Sequence, residues 1–185
     1  MNLLLRVLYV FVSSFFRAKI TDILAPARVT LCVLPNDLDF NMHMNNGRYL
    51  THMDLGRLDL ILRSGLLKIM IRQKSVPILA SCKMRYRLSL DPFQTYILQT
   101  QILGWDEKWF YIEQRFLMGS GPHQGEVAAI GLVKGCFYDT PRKATVPSAD
   151  VLSAIGYTAP SPTLPPHILD WQKAEETLKG VTRHA

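Results

Sequence analysis

The feature that most constrains this chain is one helical period followed by four strand-like runs joined by short turns. From about Asn46, the apolar residues Tyr49, Leu50, Met53, Leu58, Leu60, Ile61 and Leu62 recur at helical spacing and build a broad face suited to a buried helix. Ser64-Gly65 supplies a stop signal. Residues 76–90, 94–104, 108–118 and 126–138 then read as strands, separated by turn chemistry at Asp91-Pro92, at Trp105-Asp106-Glu107 and over 119–124. Short connections of this kind predict an antiparallel meander. Upstream, residues 27–35 alternate Val29, Leu31 and Val33 against Thr30 and Cys32, a first strand running into the turn Pro35-Asn36-Asp37. The order predicts an α+β fold whose antiparallel sheet wraps around one long apolar helix.

With 185 residues, 48% hydrophobic and 19% charged, the chain suits one globular domain and is too apolar for a disordered polyelectrolyte. The core domain is expected over 21–140, between an apolar N-terminal helix at 1–20 and a C-terminal extension at 141–185. A net charge of +6 points to anionic company, but the basic residues are scattered without interleaved aromatics, which argues against nucleic acid. Cys32, Cys82 and Cys136 lack CxxC spacing and sit in apolar stretches, so buried reduced thiols in a cytoplasmic compartment are expected. The five histidines are dispersed, and no metal-ligand spacing occurs.

The first 17 residues are strongly apolar, yet the run from Val7 to Phe16 falls short of the roughly 20 residues that cross a bilayer as a helix. No small-x-small cleavage site follows it. On a helix, Asn2, Arg6, Ser13 and Arg17 share one narrow stripe. Such a helix either lies in a membrane interface or packs on the domain.

Residues 36–49, N-D-L-D-F-N-M-H-M-N-N-G-R-Y, crowd carboxylates, amides and an imidazole between an apolar strand and an apolar helix. Asp37 reads as an acceptor for turn amides, and Asn45-Asn46-Gly47 suits a helix start. That start offers free N–H groups and a positive dipole end, which can hold the oxygen of a carbonyl under attack. Asp39 is then placed to activate water or to attack directly. His43 either assists, by orienting substrate or water, or closes the loop with a structural hydrogen bond.

The stretch D-L-D-F-N-M-H-M-N-N-G-R-Y-L resembles the loop of plant acyl-carrier-protein thioesterases and of 4-hydroxybenzoyl-CoA-type hotdog thioesterases. Together with ASCKMRYRLSLDPF and ILGWDEKWFYIEQRF, it is similar to the thioesterase superfamily member 6 group, over roughly residues 30–120. The resemblance implies a single hotdog domain that hydrolyses acyl-CoA or acyl-carrier-protein thioesters without cofactor or metal. It implies Asp39 as the catalytic aspartate, with Asn41 and His43 completing its D-x-N-x-H triplet. It also implies the oxyanion amide near Asn46 or Gly47, with Tyr49 as the aromatic ten positions after the aspartate. The plant enzymes carry a further acid and a cysteine on a later strand, where Arg87-Leu88-Ser89-Leu90 offers neither.

Hotdog domains of this kind dimerise or form dimers of dimers, and the substrate then lies at the subunit boundary. Lys83, Arg85 and Arg87 fall on one face of their strand, opposite Cys82, Met84 and Tyr86, and can meet the phosphates of CoA or form an ordinary solvated face. Trp105, Trp109 and Phe110 suit either an acyl pocket or the core. Two other functions stay open at this point: a hotdog hydratase, and an acyl-binding, membrane-associated protein without turnover.

Overall fold

The structure, a computed structural model, describes residues 2–182. Helix α1 (Asn2–Phe16) precedes strand β1 (Ala27–Cys32) and a 3-10 turn (Pro35–Asp37). Helices α2 (Asn46–Ser64) and α3 (Leu66–Gln73) follow, then strands β2 (Ser75–Tyr86), β3 (Thr95–Trp105), β4 (Phe110–Met118), β5 (Val127–Asp139) and β6 (Ala144–Val146). Helices α4 (Ser148–Ser153) and α5 (Pro166–Thr182) complete the chain. α2 stops at Gly65, whose φ of 84° is left-handed and free of Cβ strain in glycine. The chain re-enters helix at once as α3, which the sequence pattern does not announce.

The sheet order β1-β3-β4-β5-β2, antiparallel throughout, wraps α2 as in the hotdog fold. The meander expectation holds for β3, β4 and β5 and fails for β2, which crosses over to pair with β5. The reason lies in the segment between β2 and β3. Met44 N–H donates to Leu90 O (2.9 Å) and Phe93 N–H to Val33 O (2.9 Å), so the segment is bound to the loop before α2 instead of closing a hairpin. β1 takes the vacated place beside β3, and Leu90 is fully buried.

Alternate residues of β3 (Tyr96, Leu98, Thr100, Ile102) and of β4 (Gln114, Phe116, Met118) are buried, as are Tyr49, Met53 and Leu60 of α2. Each large apolar side chain so buried contributes about 1.5–3 kcal/mol. Leu50 is exposed, and Leu58, Ile61 and Leu62 are only half-buried. His52, Leu55, Gly56 and Asp59 fill the remaining buried positions of α2. At Gly56 the helix lies so close to the sheet that a Cβ would collide with Thr100 Oγ1 and stand 2.7 Å from Gln114 Nε2. α5 covers the outer face of the sheet, where Ile168 and Trp171 pack on Tyr111 and Leu132. Trp109 packs with that outer cluster, whereas Trp105 joins the inner core. Cys82 departs from the buried-thiol expectation: it is exposed, because β2 is an edge strand.

α1 packs on the domain, and its amphipathicity is inverted. Arg6 is 7% exposed and Val10 fully buried, while Leu4 (71%), Phe15 and Phe16 (87%) face outward. The polar stripe is the docking stripe. Near its end, Arg17 Nη1 donates to Asp59 Oδ1 (2.7 Å), and Arg63 Nη1 reaches Asp59 Oδ2 (2.9 Å). No described helix is long and apolar enough to cross a membrane.

The contact at Gly56 yields a test with an unusual sign. Helix propensity alone favours Gly→Ala by about 1 kcal/mol. Here the collision with Thr100 and Gln114 outweighs it, and Gly56→Ala is expected to destabilise the fold by about 1–3 kcal/mol in urea unfolding. A stabilised variant would show that the helix–sheet gap is wider than described.

Candidate active site

Residues 37–45 close on themselves as a small hairpin. Asn45 N–H donates to Asp37 O (2.8 Å), Asp39 N–H to His43 O (2.9 Å) and Met42 N–H to Asp39 O (3.1 Å), with Leu38 and Met44 bridged between them. At the tip, Asp39 Oδ1 accepts the N–H groups of Asn41 (2.9 Å) and His43 (3.4 Å), an Asx turn. Asp39 Oδ2 has no hydrogen-bond partner among the described residues. The hairpin runs directly into α2, whose N-cap is Asn45. A half-held carboxylate therefore stands on a loop that ends at a helix N-terminus, where backbone N–H groups and the helix dipole favour negative charge.

The root of the hairpin is a buried ionic cluster. Asp37 is fully buried, and Arg6 of α1 grips its two oxygens at 2.9 and 2.5 Å. Arg48, in the first turn of α2, donates through Nε to Asp37 Oδ1 (3.0 Å), and Leu34 N–H donates to Oδ2 (2.9 Å). Arg6 also reaches Cys32 O (2.8 Å) and lies against His52 Nε2. The other ring nitrogen of His52 is 2.5 Å from the Tyr96 hydroxyl. Burial pushes the Asp37 carboxyl up, but its hydrogen bonds with His52, Arg6 and the Leu34 N–H hold it well below the usual carboxylate range. Burial pushes His52 down, and the Arg6 and Arg48 charges add to that against the opposing pull of Asp37.

The other expected site residues are placed as follows. Asn41 is exposed and enters the site through its N–H. The half-exposed His43 ring points to Asp91 (Nε2–Oδ1 3.6 Å), so it meets Asp39 through its backbone alone. Asn45 Oδ1 accepts the Gly47 N–H (2.9 Å), which occupies one of the two expected oxyanion amides. The Asn46 N–H, the other, has no partner among the described residues, and Asn46 O accepts from the Tyr86 hydroxyl (3.2 Å). Tyr49 is buried against Tyr86 and Phe116, and burial pushes its hydroxyl up to about 12. Arg85 is exposed on β2, whereas Arg87, just past its end, pairs with Glu126 (2.8 Å). Among the described residues no cluster of three or more His, Cys, Asp or Glu is arranged to hold a metal.

The turn-acceptor reading of Asp37 captures only its bond from Leu34. The cluster around it was missed, although one signal pointed there. Arg6 and Arg17 stand eleven positions apart on an otherwise apolar helix, on one face, and a charge on a buried face requires a partner.

The two buried groups make stability pH-dependent in a defined direction. Unfolded His52 takes a proton below about 6.5, and the folded protein resists it, so stability falls as pH drops below that point, by up to ~1.4 kcal/mol per unit. Asp37 adds a second loss below its ordinary value of 3.8, where the unfolded carboxyl protonates and the folded one does not. Urea midpoints are expected to fall between about pH 7.5 and 5.5 in the wild type and much less in His52→Gln. A flat wild-type profile would contradict a neutral, buried His52.

Comparison with known proteins gives the family. A sequence profile described as the thioesterase-like superfamily matches residues 33–172. Protein THEM6 of Xenopus laevis is 44% identical over 98 residues, 53% of this chain and 47% of that protein. Protein THEM6 of Danio rerio is 38% identical over 130 residues, 70% of this chain and 63% of that protein. The matched stretches thus span about half to under two thirds of these relatives' length. Among solved structures, a Staphylococcus aureus protein in complex with CoA superposes with a TM-score of 0.62 at 15% identity, covering 81% of this chain and 96% of its own. With the profile covering most of its length and the hotdog topology in place, this chain belongs to the thioesterase-like superfamily.

Proposed function

We propose that the chain hydrolyses acyl thioesters, with acyl-CoA as the substrate class. The observation that carries this reading is the hairpin of 37–45, which joins the half-held Asp39 carboxylate to the first turn of α2. A thioester carbonyl seated on the Asn46 N–H is polarised by that amide and the helix dipole. Asp39, through its unpartnered oxygen, activates water or attacks the carbonyl, and the CoA thiolate leaves. Asn41 and His43 shape the tip through their N–H groups, and Tyr49 forms the wall beneath it. Arg85 and Arg87 are the candidates for the phosphates of CoA. The chemistry needs no metal or organic cofactor.

An apolar cavity of about 340 Å³ supports an acyl substrate. It lies between the later turns of α2, α3 and the sheet, walled by residues such as Leu58, Ile61, Met70, Ile78 and Val133. Polar side chains enter its wall mainly at Asp54 and Arg57. A hydroxylated aryl group buried there would leave its hydroxyls short of partners, whereas a hydrocarbon chain would not.

Two assemblies follow from exposed apolar surface. The edge strand β2 leaves Val76, Ile78 and Leu79 open and invites pairing with a second copy. The outward face of α1, with Leu4, Leu5, Leu8, Phe15 and Phe16, suits a membrane surface. A second reading, acyl binding without turnover, draws on the Gly47 N–H being taken up by Asn45.

Asp39→Asn is expected to lower CoA release by about 10²-fold or more while folding and acyl-CoA binding persist. Full activity in that variant, or tight binding with no CoA release by the wild type, would reject the hydrolytic reading. Linear fatty acyl-CoA esters should be cleaved in preference to hydroxyaryl ones, and Ile61→Phe should shift preference toward shorter chains. Unchanged chain-length dependence would remove the cavity from the substrate site.

A further inference from the structure

We infer that Arg6, brought in by the N-terminal helix, is a positioning residue for the Asp39 loop. This rests on the hydrolytic reading and adds a group outside the loop. Asp37 holds both halves of the site. Its carbonyl accepts from Asn45, the cap of α2, and its carboxylate accepts from Arg48 in the first turn of that helix. Two residues on, the same strand of the hairpin carries Asp39. The spacing between the Asp39 carboxylate and the helix-start amides is therefore set at Asp37.

Arg6 orients that group. Its fork meets both Asp37 oxygens, and its second branch also reaches Cys32 O at the end of β1, so one guanidinium fixes Asp37 against the sheet edge. His52 and Tyr96 back it from below, both fully buried. Among the described residues, only Arg48 of the other cations contacts Asp37, and it is partly solvent-exposed and moves with the helix it is meant to locate. Without Arg6 the Asp37 carboxylate loses its side-chain tie to the end of β1, and the hairpin tip gains room to shift relative to α2.

The second clamp of α1 provides an internal control. Arg17 docks the same helix through Asp59, far along α2 from the hairpin. A purely structural role for Arg6, docking α1, would make the two arginines equivalent. Positioning makes them different.

The test compares Arg6→Lys, Arg6→Met and Arg17→Met in the full chain with a fatty acyl-CoA. Arg6→Met is expected to lose about tenfold or more in kcat with KM changed far less, because a displaced catalytic group costs transition-state and not ground-state binding. Arg6→Lys keeps the charge but not the fork, and should fall between Arg6→Met and wild type. Arg17→Met should keep kcat within about twofold at a temperature where it is folded. Amide hydrogen exchange over 37–45 reads the same claim without turnover. It should accelerate in Arg6→Met and Arg6→Lys and not in Arg17→Met. Equal kcat losses for Arg6→Met and Arg17→Met, or unchanged exchange in the Arg6 variants, would overturn the assignment. Absence of CoA release by wild type together with accelerated exchange in the Arg6 variants would instead sink the hydrolytic reading and leave Arg6 as the residue that holds the loop.

Discussion

The structure depends on a fully buried carboxylate. Asp37 cannot leave water unpaired without a penalty that exceeds most single interactions in a domain this size. Its solvation is replaced by two arginines, a backbone N–H and the nearby His52 ring. These partners come from α1, from Leu34 at the start of the 3-10 turn and from α2, so meeting the needs of one charge brings three segments together. Removing one member of such a cluster typically costs about 3–5 kcal/mol, because the remaining charge stays buried. The cluster is therefore weak evidence of extra stability and strong evidence of a fixed geometry. That geometry is the junction of the hairpin with the helix.

The same principle explains the inverted helix α1. A helix with two arginines on an apolar background would ordinarily turn its charges to water. Here each finds a buried carboxylate, Asp37 for Arg6 and Asp59 for Arg17, and each carboxylate has a second arginine from α2, Arg48 or Arg63. Both carboxylates are thus neutralised from two sides. Apart from Val7 and Val10, which pack on the core, the large apolar residues of α1 are then forced outward, because the docking face is already taken. An exposed row of Leu and Phe is costly in water, a cost that the proposed contact with a membrane surface would relieve.

Much of the fold is legible in the sequence because its signals are local. Alternation in 27–35, the turn at Trp105-Asp106-Glu107 and Gly65 after a long helical period each act within a few residues, and β1, the β3–β4 turn and the end of α2 lie where they indicate. The exchange of β2 to the far edge is not local. It depends on Leu90 O meeting Met44 N–H, a bond between segments 46 residues apart, and no short-range pattern carries it. The candidate site divides the same way. Asn45 is readable as part of a helix start, and it caps α2 through the Gly47 N–H, whereas the Asx turn forms at Asp39 and not at Asp37, where turn chemistry is expected. The direction of the His43 ring and the Arg6–Asp37 fork are settled by packing between distant segments.

α2 shows how one element can serve three demands that pull its sequence apart. On the proposed mechanism its first turn leaves the Asn46 amide unpaired and so cannot bury it. Its middle must approach the sheet at Gly56, close enough for Gln114 to reach the Met53 carbonyl (2.9 Å). Its later turns line an apolar cavity that the strands do not fill. A helix built for core packing alone would carry larger apolar residues at 52, 56 and 59. The polar and small residues at those positions sacrifice apolar burial, which is why the helix is less apolar than its place at the centre of the fold would suggest. The lost burial is offset by ionic and hydrogen-bonded contacts that have only one satisfactory geometry. In this chain the helix therefore supplies orientation, between a carboxylate at one end and a cavity at the other, as much as it supplies a core.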